Sequence, residues 1–552
     1  MGTRTGRAAL VLAVYAVATL VMAWPVSVHP GSYQIGGGAD PRLYIWTIGW
    51  GTHGLSHHPW SVFDANIFFP HVLTLAYSEN LLGSALIALP IVWATGDVLA
   101  ATNLVAVLAV FVSAVGGYVL ARQLGVSALA AFLCGLVFAF APPYFTRLGQ
   151  LHLIAIHWVP FGLAYFHRYL ERGRAADLRW TLGFLSLQAV TSGHGAVFLL
   201  LGVVAMGAHR LGTGTRAAPW RRLHDSGLPG VLLLVPAALV YVPYRLASRE
   251  VPIERTLDDV GLTLSSYVSS PTHVHQWLLS LLPAWDWLQQ PPDAFLFPGL
   301  VPLALAGLAF RPGRSRPASH ADRWLFLAMG FLSLWLAIGP PLSLWQWVHW
   351  LPGLSFIRAP SRFTLLGTLA LAVLAAMGFD RLTRQWAARA RAIAAAGLAL
   401  LLLAECVQIP NTARPFTLEI PAADRWLATL EGPIAIAEAP VSASRLDARR
   451  ADVATQYMLH TLGHYHPTVF GYSGAEPSDY RGVYDSLIGF PSGDSISRLA
   501  DRGVTHVVVH LDYLTAEDRP IYEARLAEFA GSLRLAHADG DGRVFEIIAS
   551  RR

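Results

Sequence analysis

Residues 8–26 read AALVLAVYAVATLVMAWPV, and the length and purity of that run decide the class of fold. A helix rises 1.5 Å per residue, so about 20 such residues cross the roughly 30 Å of bilayer hydrocarbon. The run has no small-residue cleavage site and many similar runs follow it, which predicts a retained span and not a removed signal peptide. Composition agrees. Of 552 residues, 54% are hydrophobic and 14% charged, and the mean hydropathy is +0.45, whereas soluble domains carry about 25% charged residues. The chain reads as a polytopic membrane protein.

Outward from that run, further apolar stretches lie near 98–121, 126–143, 152–169, 180–192, 194–210, 228–247, 297–311, 323–339, 363–380 and 391–408, about eleven spans in all. The stretch NLLGSALIALPIVWATG, 80–96, is short and broken by Pro90 and Gly96. Arginine decides its reading. Arg4 and Arg7, Arg122, Arg172 and Arg174, Arg210, Arg221 and Arg222, Arg311 and Arg314, and Arg384 and Arg389 fall on one side, the cytoplasmic one, only if 80–96 does not cross. It is therefore read as re-entrant or juxtamembrane. The N-terminus is then cytoplasmic, and the loops 26–97 and 248–297 and the tail are extracytoplasmic. From about Asn411 the composition becomes that of a soluble domain. PIAIAEAP and THVVVHL have the pattern of buried strands, AEDRPIYEARLAEFAG that of a surface helix, and LRLAHADGDGRVFEII that of a hairpin. The expected organisation is an all-α membrane domain over 1–410, with about 11 to 13 transmembrane helices, followed by a small α/β domain over 411–552.

Several function classes drop out. The formal charge of +5 comes from 40 basic residues that are all arginine and lie in connecting loops, without the basic, aromatic-interleaved stripe of a nucleic-acid surface. Cys134 and Cys406 sit inside apolar runs and read as packed thiols. There is no GxxxxGK[ST], GxSxG or HExxH, and no matched pair of broken spans with buried acids.

The candidate chemistry lies in the loops assigned to the outside. In GGGADPRLYIW, 36–46, Pro41 suits the first turn of a helix, so Asp40 is either its N-cap or a functional carboxylate, roles that are compatible. Arg42 stands beside it. The segment carries Leu43, Trp46, Ile48 and Trp50, which suit a helix lying in the interface. Glu79, in AYSENLLG, is either a first-turn acid favoured by the helix dipole or a second site carboxylate. The turn APPYFTRLGQLHLIAIHW offers Arg147, Gln150 and His152, and TSGHGA offers His194. A divalent metal ion, magnesium or manganese, could be shared by Asp40 and His152. Arg358 and Arg362 bracket Pro360 just before a span, on the side opposite the other arginines. Guanidinium groups bind phosphate oxygens bidentately, so a lipid phosphate is their natural partner, against the simpler role of snorkelling to headgroups.

Taken in order, ADPRLYIW, NIFFPH, SENLLG, RLGQLH with HWVP, LFPG, IRAPSRF and YMLHTLGHYHPTVFGYSG resemble bacterial membrane glycosyltransferases of the GT-C fold, in particular the YfhO-like and mannosyltransferase-like members. The resemblance spans nearly the whole chain, and its weight lies in order and spacing. It implies transfer of a hexose or pentose from a polyprenyl-phosphate donor to an envelope glycan, lipid or protein acceptor on the outer face of the bacterial inner membrane, with inversion. The acid of the first external loop, here Asp40, is implied as general base or metal ligand. RLGQLH lacks the second acid that the family often shows, which leaves His152 or Glu79 in its place. The alternative function class is a non-enzymatic envelope protein for export, flipping or assembly.

Overall fold

The structure is a computed structural model, and it describes residues 2–212, 226–251, 264–281, 295–312, 317–338, 342–351, 354, 357–442 and 449–548. Parts of the expected loop 248–297 and of the arginine-rich turns after 212 and 312 lie outside the described residues.

Every apolar stretch named above contains a helix. The main ones are Gly2–Met22, Val98–Gln123, Ala128–Phe140, Val159–Arg172, Ala175–Thr191, Gly193–Gly212, Gly227–Glu250, Leu300–Leu308, Pro317–Ala337, Thr364–Thr383 and Ala388–Cys406. Among the described residues, five are long and apolar enough to cross a bilayer by length and composition, at Thr5–Met22, Val98–Gln123, Gly193–Gly212, Gly227–Glu250 and Pro360–Thr383. Two stretches depart from simple spans. Leu300–Leu308 follows Gly299, whose φ is +106°, and is only 9 residues long. Residues 151–172 split into the single turn Leu151–Ile154, an irregular link, and Val159–Arg172. Leu82–Thr95 has 14 residues with Pro90 inside, about 21 Å of helix, which is short of the hydrocarbon thickness.

The chain forms two compact units. The first comprises Met1–Pro30, Asn103–Val240 and Glu254–Ala413. Its centre is Thr364–Thr383, packed against Leu300–Leu308, Pro317–Ala337 and Ala128–Phe140. The closeness depends on glycine, because a Cβ at Gly378 would run into the Leu305 carbonyl. Small residues at such crossings let helix backbones approach where lipid supplies no hydrophobic drive between them. The buried carboxylate of Glu405 accepts hydrogen bonds from the Leu300 and Val301 amides, the latter at 3.0 Å, and so satisfies the orphan donors that open the short helix.

The second unit comprises Gly31–Thr102, Tyr241–Ile253 and Arg414–Arg552. Its sheet has the order Ile436–Ala439, His506–His510, Gly542–Ile547, Leu533–Asp539. The first pair is parallel, with Ile436 opposite His506, and the other two pairs are antiparallel. Ile436, Val508 and Val544 pack with Ala423 and Leu427 of the helix Ala422–Leu427 as its core. Both parallel strands are buried throughout, and the last two strands form the expected hairpin, turning at Gly540 with φ +54°. Residues of NIFFPH join this unit through the backbone: Phe68 N and Phe69 N donate to Phe470 O and Thr468 O at 3.0 and 2.9 Å, and Thr468 N donates to Asn66 O at 2.9 Å.

The helix Ala39–His57 also belongs to this unit, and the structure corrects two expectations about it. Gly38, with φ +81°, occupies the N-cap, so Asp40 lies in the first turn and is not the cap. The helix does not present its aromatics at an interface, because Trp46 is 1% and Trp50 4% exposed. Leu43, Tyr44, Ile45, Thr47, Ile48, Gly49, Gly51 and Thr52 are buried as well, so the middle turns of this helix are a core element.

Candidate functional site

Each unit carries its own polar constellation. In the second unit, Asp40 is partly exposed at the start of Ala39–His57, where the unpaired amides of the first turn favour a carboxylate. Its Oδ1 accepts a 2.6 Å hydrogen bond from the Tyr472 hydroxyl, a charge-assisted contact that fixes the orientation of the carboxylate. Arg42 Nη1 donates to the Asp452 carbonyl at 3.2 Å, and Asp452, buried in the helix Arg450–His460, takes Arg449 Nε at 3.4 Å. Arg42, Asp452 and Tyr472 thus tie the ADPRLYIW turn to the tail segments around 449–452 and 472. Tyr472 and Asp452 were not singled out in the sequence. The motif FGYSG does hold Tyr472, but nothing local tells which loop its hydroxyl meets.

Glu79 sits before Leu82–Thr95 and outside its first turn. The helix start is organised by Asn80, whose Oδ1 accepts from Leu82 N at 2.9 Å and whose amide donates to Tyr244 Oη at 3.1 Å. Tyr244 donates in turn to Ser78 O at 2.7 Å.

In the first unit, Arg147, Gln150, His152, His194 and Arg362 come together. Arg147 is 4%, His152 4% and His194 3% exposed. The His152 and His194 rings meet edge to face with centroids 5.3 Å apart. An Arg362 Nη1 N–H donates to His194 Nε2 at 2.9 Å, so His194 is the tautomer with its proton on Nδ1. Arg147 donates from Nε to Pro143 O at 3.2 Å and from Nη1 to Gln150 Oε1 at 2.9 Å. The geometry has local causes. Pro142 and Pro143 open one short turn after Ala128–Phe140, the link at Ala155–Trp158 breaks the next helix, and Ser192 Oγ donates to His152 O at 2.7 Å. Two guanidinium groups and two imidazoles set at such breaks suit an anion with several oxygens. Arg358 is exposed, in the extended segment before the 3-10 turn Pro360–Phe363. Of the three tryptophans preceding these arginines, Trp345 is 3% exposed, whereas Trp347 and Trp350 are 68% and 65% exposed.

The carboxylate and imidazole considered as metal ligands, Asp40 and His152, belong to different units. Among the described residues, the group of three or more candidate ligands is a different one: Asp424, Glu438, His460 and His510, all buried, with ligand atoms within 4.8 Å of one another. Burial pushes the Glu438 carboxyl up to about 8, with the charge of Asp424 adding to the shift. It also pushes Asp424 up to about 6, and it lowers His460 and His510.

No protein-family profile and no curated protein sequence matches the chain. Solved structures do. The arabinofuranosyltransferase AftD from mycobacteria superposes with a TM-score of 0.63 at 16% identity, over 98% of this chain and 40% of that one. The chain thus spans about two fifths of the length of that protein. The oligosaccharyltransferase of Archaeoglobus fulgidus tethered with an acceptor peptide gives 0.52 at 12% identity, over 91% and 69% of the two chains. The same enzyme in complex with zinc and sulfate gives 0.51 at 13% identity, over 95% and 71%. The fold of the chain is that of these GT-C glycosyltransferases.

Proposed function

We propose that the protein is an integral-membrane glycosyltransferase that moves a hexose or pentose from a polyprenyl-phosphate donor to a hydroxyl of an envelope glycan, lipid or protein acceptor. The reading further places the reaction on the outer face of a bacterial inner membrane. Likeness in fold over 98% of this chain to a sugar transferase supports the reaction class. The observation that carries the chemistry is the group of Arg147, His152, His194 and Arg362, whose guanidinium and imidazole groups suit a phosphate that gains charge as it departs.

In this reading the acceptor oxygen forms a bond to the anomeric carbon while the bond from that carbon to the donor phosphate breaks, with inversion. The hydroxyl proton passes to Asp40, held by Tyr472 through Oδ1. Arg362, steadied by His194, meets the leaving phosphate oxygens, with Arg147, Gln150 and His152 beside it and Arg358 as a further substrate contact.

The test is transfer of radiolabelled sugar from synthetic polyprenyl-phosphate donors by the purified full chain in lipid nanodiscs. Loss of a transition-state phosphate contact costs about 10²–10³ in turnover, so Arg362→Ala should fall by that factor while still inserting and remaining monodisperse. Wild-type turnover by Arg362→Ala would overturn the phosphate assignment, and no transfer from any donor by the wild type would overturn the reaction class.

A further inference from the structure

We propose that Asp424, Glu438, His460 and His510 form a structural binding site for a divalent transition metal of the zinc class, built into the soluble fold of the second unit and separate from the sugar-transfer chemistry. The ligands come from four different elements. Asp424 lies on the helix Ala422–Leu427, Glu438 on the strand Ile436–Ala439, His460 ends the helix Arg450–His460, and His510 ends the adjacent parallel strand His506–His510. Parallel pairing sets Glu438 opposite Val508, so His510 is two residues further along and on the same face of the sheet.

The donor atoms converge. His460 Nδ1 and His510 Nε2 stand 2.6 and 2.7 Å from the same oxygen, Glu438 Oε2, and both are 4.0 Å from Asp424 Oδ2. Side-chain exposure is 0% for both carboxylates and 1% and 2% for the histidines. The independent observation is that both oxygens of Asp424, and Oε1 of Glu438, are buried without a hydrogen bond. Buried carboxylate oxygens in native proteins are otherwise paired or ligated to metal. Once metal binding displaces their protons, the two carboxylates and two neutral imidazoles carry a charge of −2, which one divalent ion cancels.

The donor chemistry selects the ion. Two nitrogens and two oxygens suit a four-coordinate zinc site, whereas magnesium and calcium require more oxygens. Bonds of about 2.0–2.2 Å in a tetrahedron separate ligand atoms by about 3.4 Å, inside the span from 2.6 Å to within 4.8 Å found here, so side-chain shifts of about an ångström suffice. Outer contacts for such a site are present as well. His460 Nε2 lies 3.3 Å from Tyr513 Oη, which can accept its N–H once Nδ1 is a ligand, and 3.0 Å from the Gln456 amide nitrogen, where the amide turned over would present its oxygen to the same N–H. His464 Nδ1 accepts from His466 N at 3.0 Å, which puts its proton on Nε2, 3.9 Å from Asp424 Oδ1. Four protein ligands close the coordination sphere, and a closed sphere is structural, not catalytic.

The experiment uses the full chain in detergent, stripped with a chelator and titrated with zinc chloride against a chromophoric competitor. Wild type and Asp40→Asn should each bind about one equivalent per chain. Asp424→Asn and Glu438→Gln, which keep shape and remove a charge, should lose it by at least tenfold in affinity. Unchanged binding in these two variants, or no binding by the wild type, overturns the proposal. If the variants do not fold, cobalt decides on the wild type: an intense visible band marks tetrahedral coordination, and the weak spectrum of an octahedral ion overturns the assignment.

Discussion

The Tyr472 hydroxyl and the Asp40 carboxylate are 432 positions apart in sequence and 2.6 Å apart in space. Hydrogen bonds to charged groups contribute about 1.5–3 kcal/mol, so Tyr472→Phe should lower sugar transfer about tenfold or more by loosening the carboxylate. Asp40→Asn removes the base itself and should cost about 10²–10⁴. The ratio of the two in a single-turnover assay separates orientation from proton transfer, and equal, negligible losses would sink the role of Asp40. A second residue-level prediction concerns acid. The His53 ring stacks on Tyr465 with centroids 3.6 Å apart and lies 4.3 Å from His57 and 5.2 Å from His58, with Trp50 alongside at 6.1 Å. Burial first, then the two neighbouring histidines, lowers its pKa to about 4. The unfolded chain takes up this proton near pH 6.5 and the folded chain does not, so the stability is fully present above 6.5 and is lost as pH falls toward 4. Melting temperatures of the wild type should decline across that window, and His53→Phe, which keeps an aromatic ring against Tyr465, should decline less.

At the scale of elements, a single acid sets where a helix begins. Glu405 caps Leu300–Leu308 from the far end of Ala388–Cys406, and Glu405→Ala leaves two buried amides unpaired. A loss of about 1–3 kcal/mol is expected, read as a lower melting temperature in detergent, with Glu405→Gln recovering part of it. In the sequence this glutamate is one charge in an apolar run, and its partner is about a hundred residues away, so no window reveals it. The apolar runs were legible because every turn of a lipid-facing or core helix must be apolar. Their breaks were not: LHLIAIHW looks continuous, yet the chain turns at Ala155–Trp158. That break is what sets His152 apart from Val159–Arg172 and beside His194. The strands of the tail were legible from PIAIAEAP and THVVVHL, and so was a further sign that passed unused. Glu438 lies inside one buried strand and His510 ends the other, and a buried charge is more informative than any exposed leucine.

For the whole molecule, the arginine clusters argue for orientation. The pairing of Asn66, Phe68 and Phe69 with residues 468–470 could not be read from either segment, because backbone pairing at that separation leaves no local pattern. The side of the membrane, in contrast, is an expectation that counting charges yields. If Leu82–Thr95 does not cross, the short arginine-rich turns share the cytoplasm and the tail lies outside. If it does cross, each later turn inverts against a bias that normally governs short loops. At 14 residues it is as long as Val159–Arg172 and longer than Ala128–Phe140, so the arginine bias and not helix length carries the expectation that it does not cross. A fusion of alkaline phosphatase to Arg552 should therefore be active, since that enzyme needs the disulfides that form outside the cytoplasm, while a fluorescent reporter that matures only in the cytoplasm stays dark there. The same pair placed after Arg122 should give the opposite result. Deleting 82–95 should leave the phosphatase signal at the C-terminus unchanged, because removing a segment that does not cross alters no later topology. A phosphatase signal that vanishes on that deletion would mean the segment crosses, and transfer on the outer face would then lose its orientation argument.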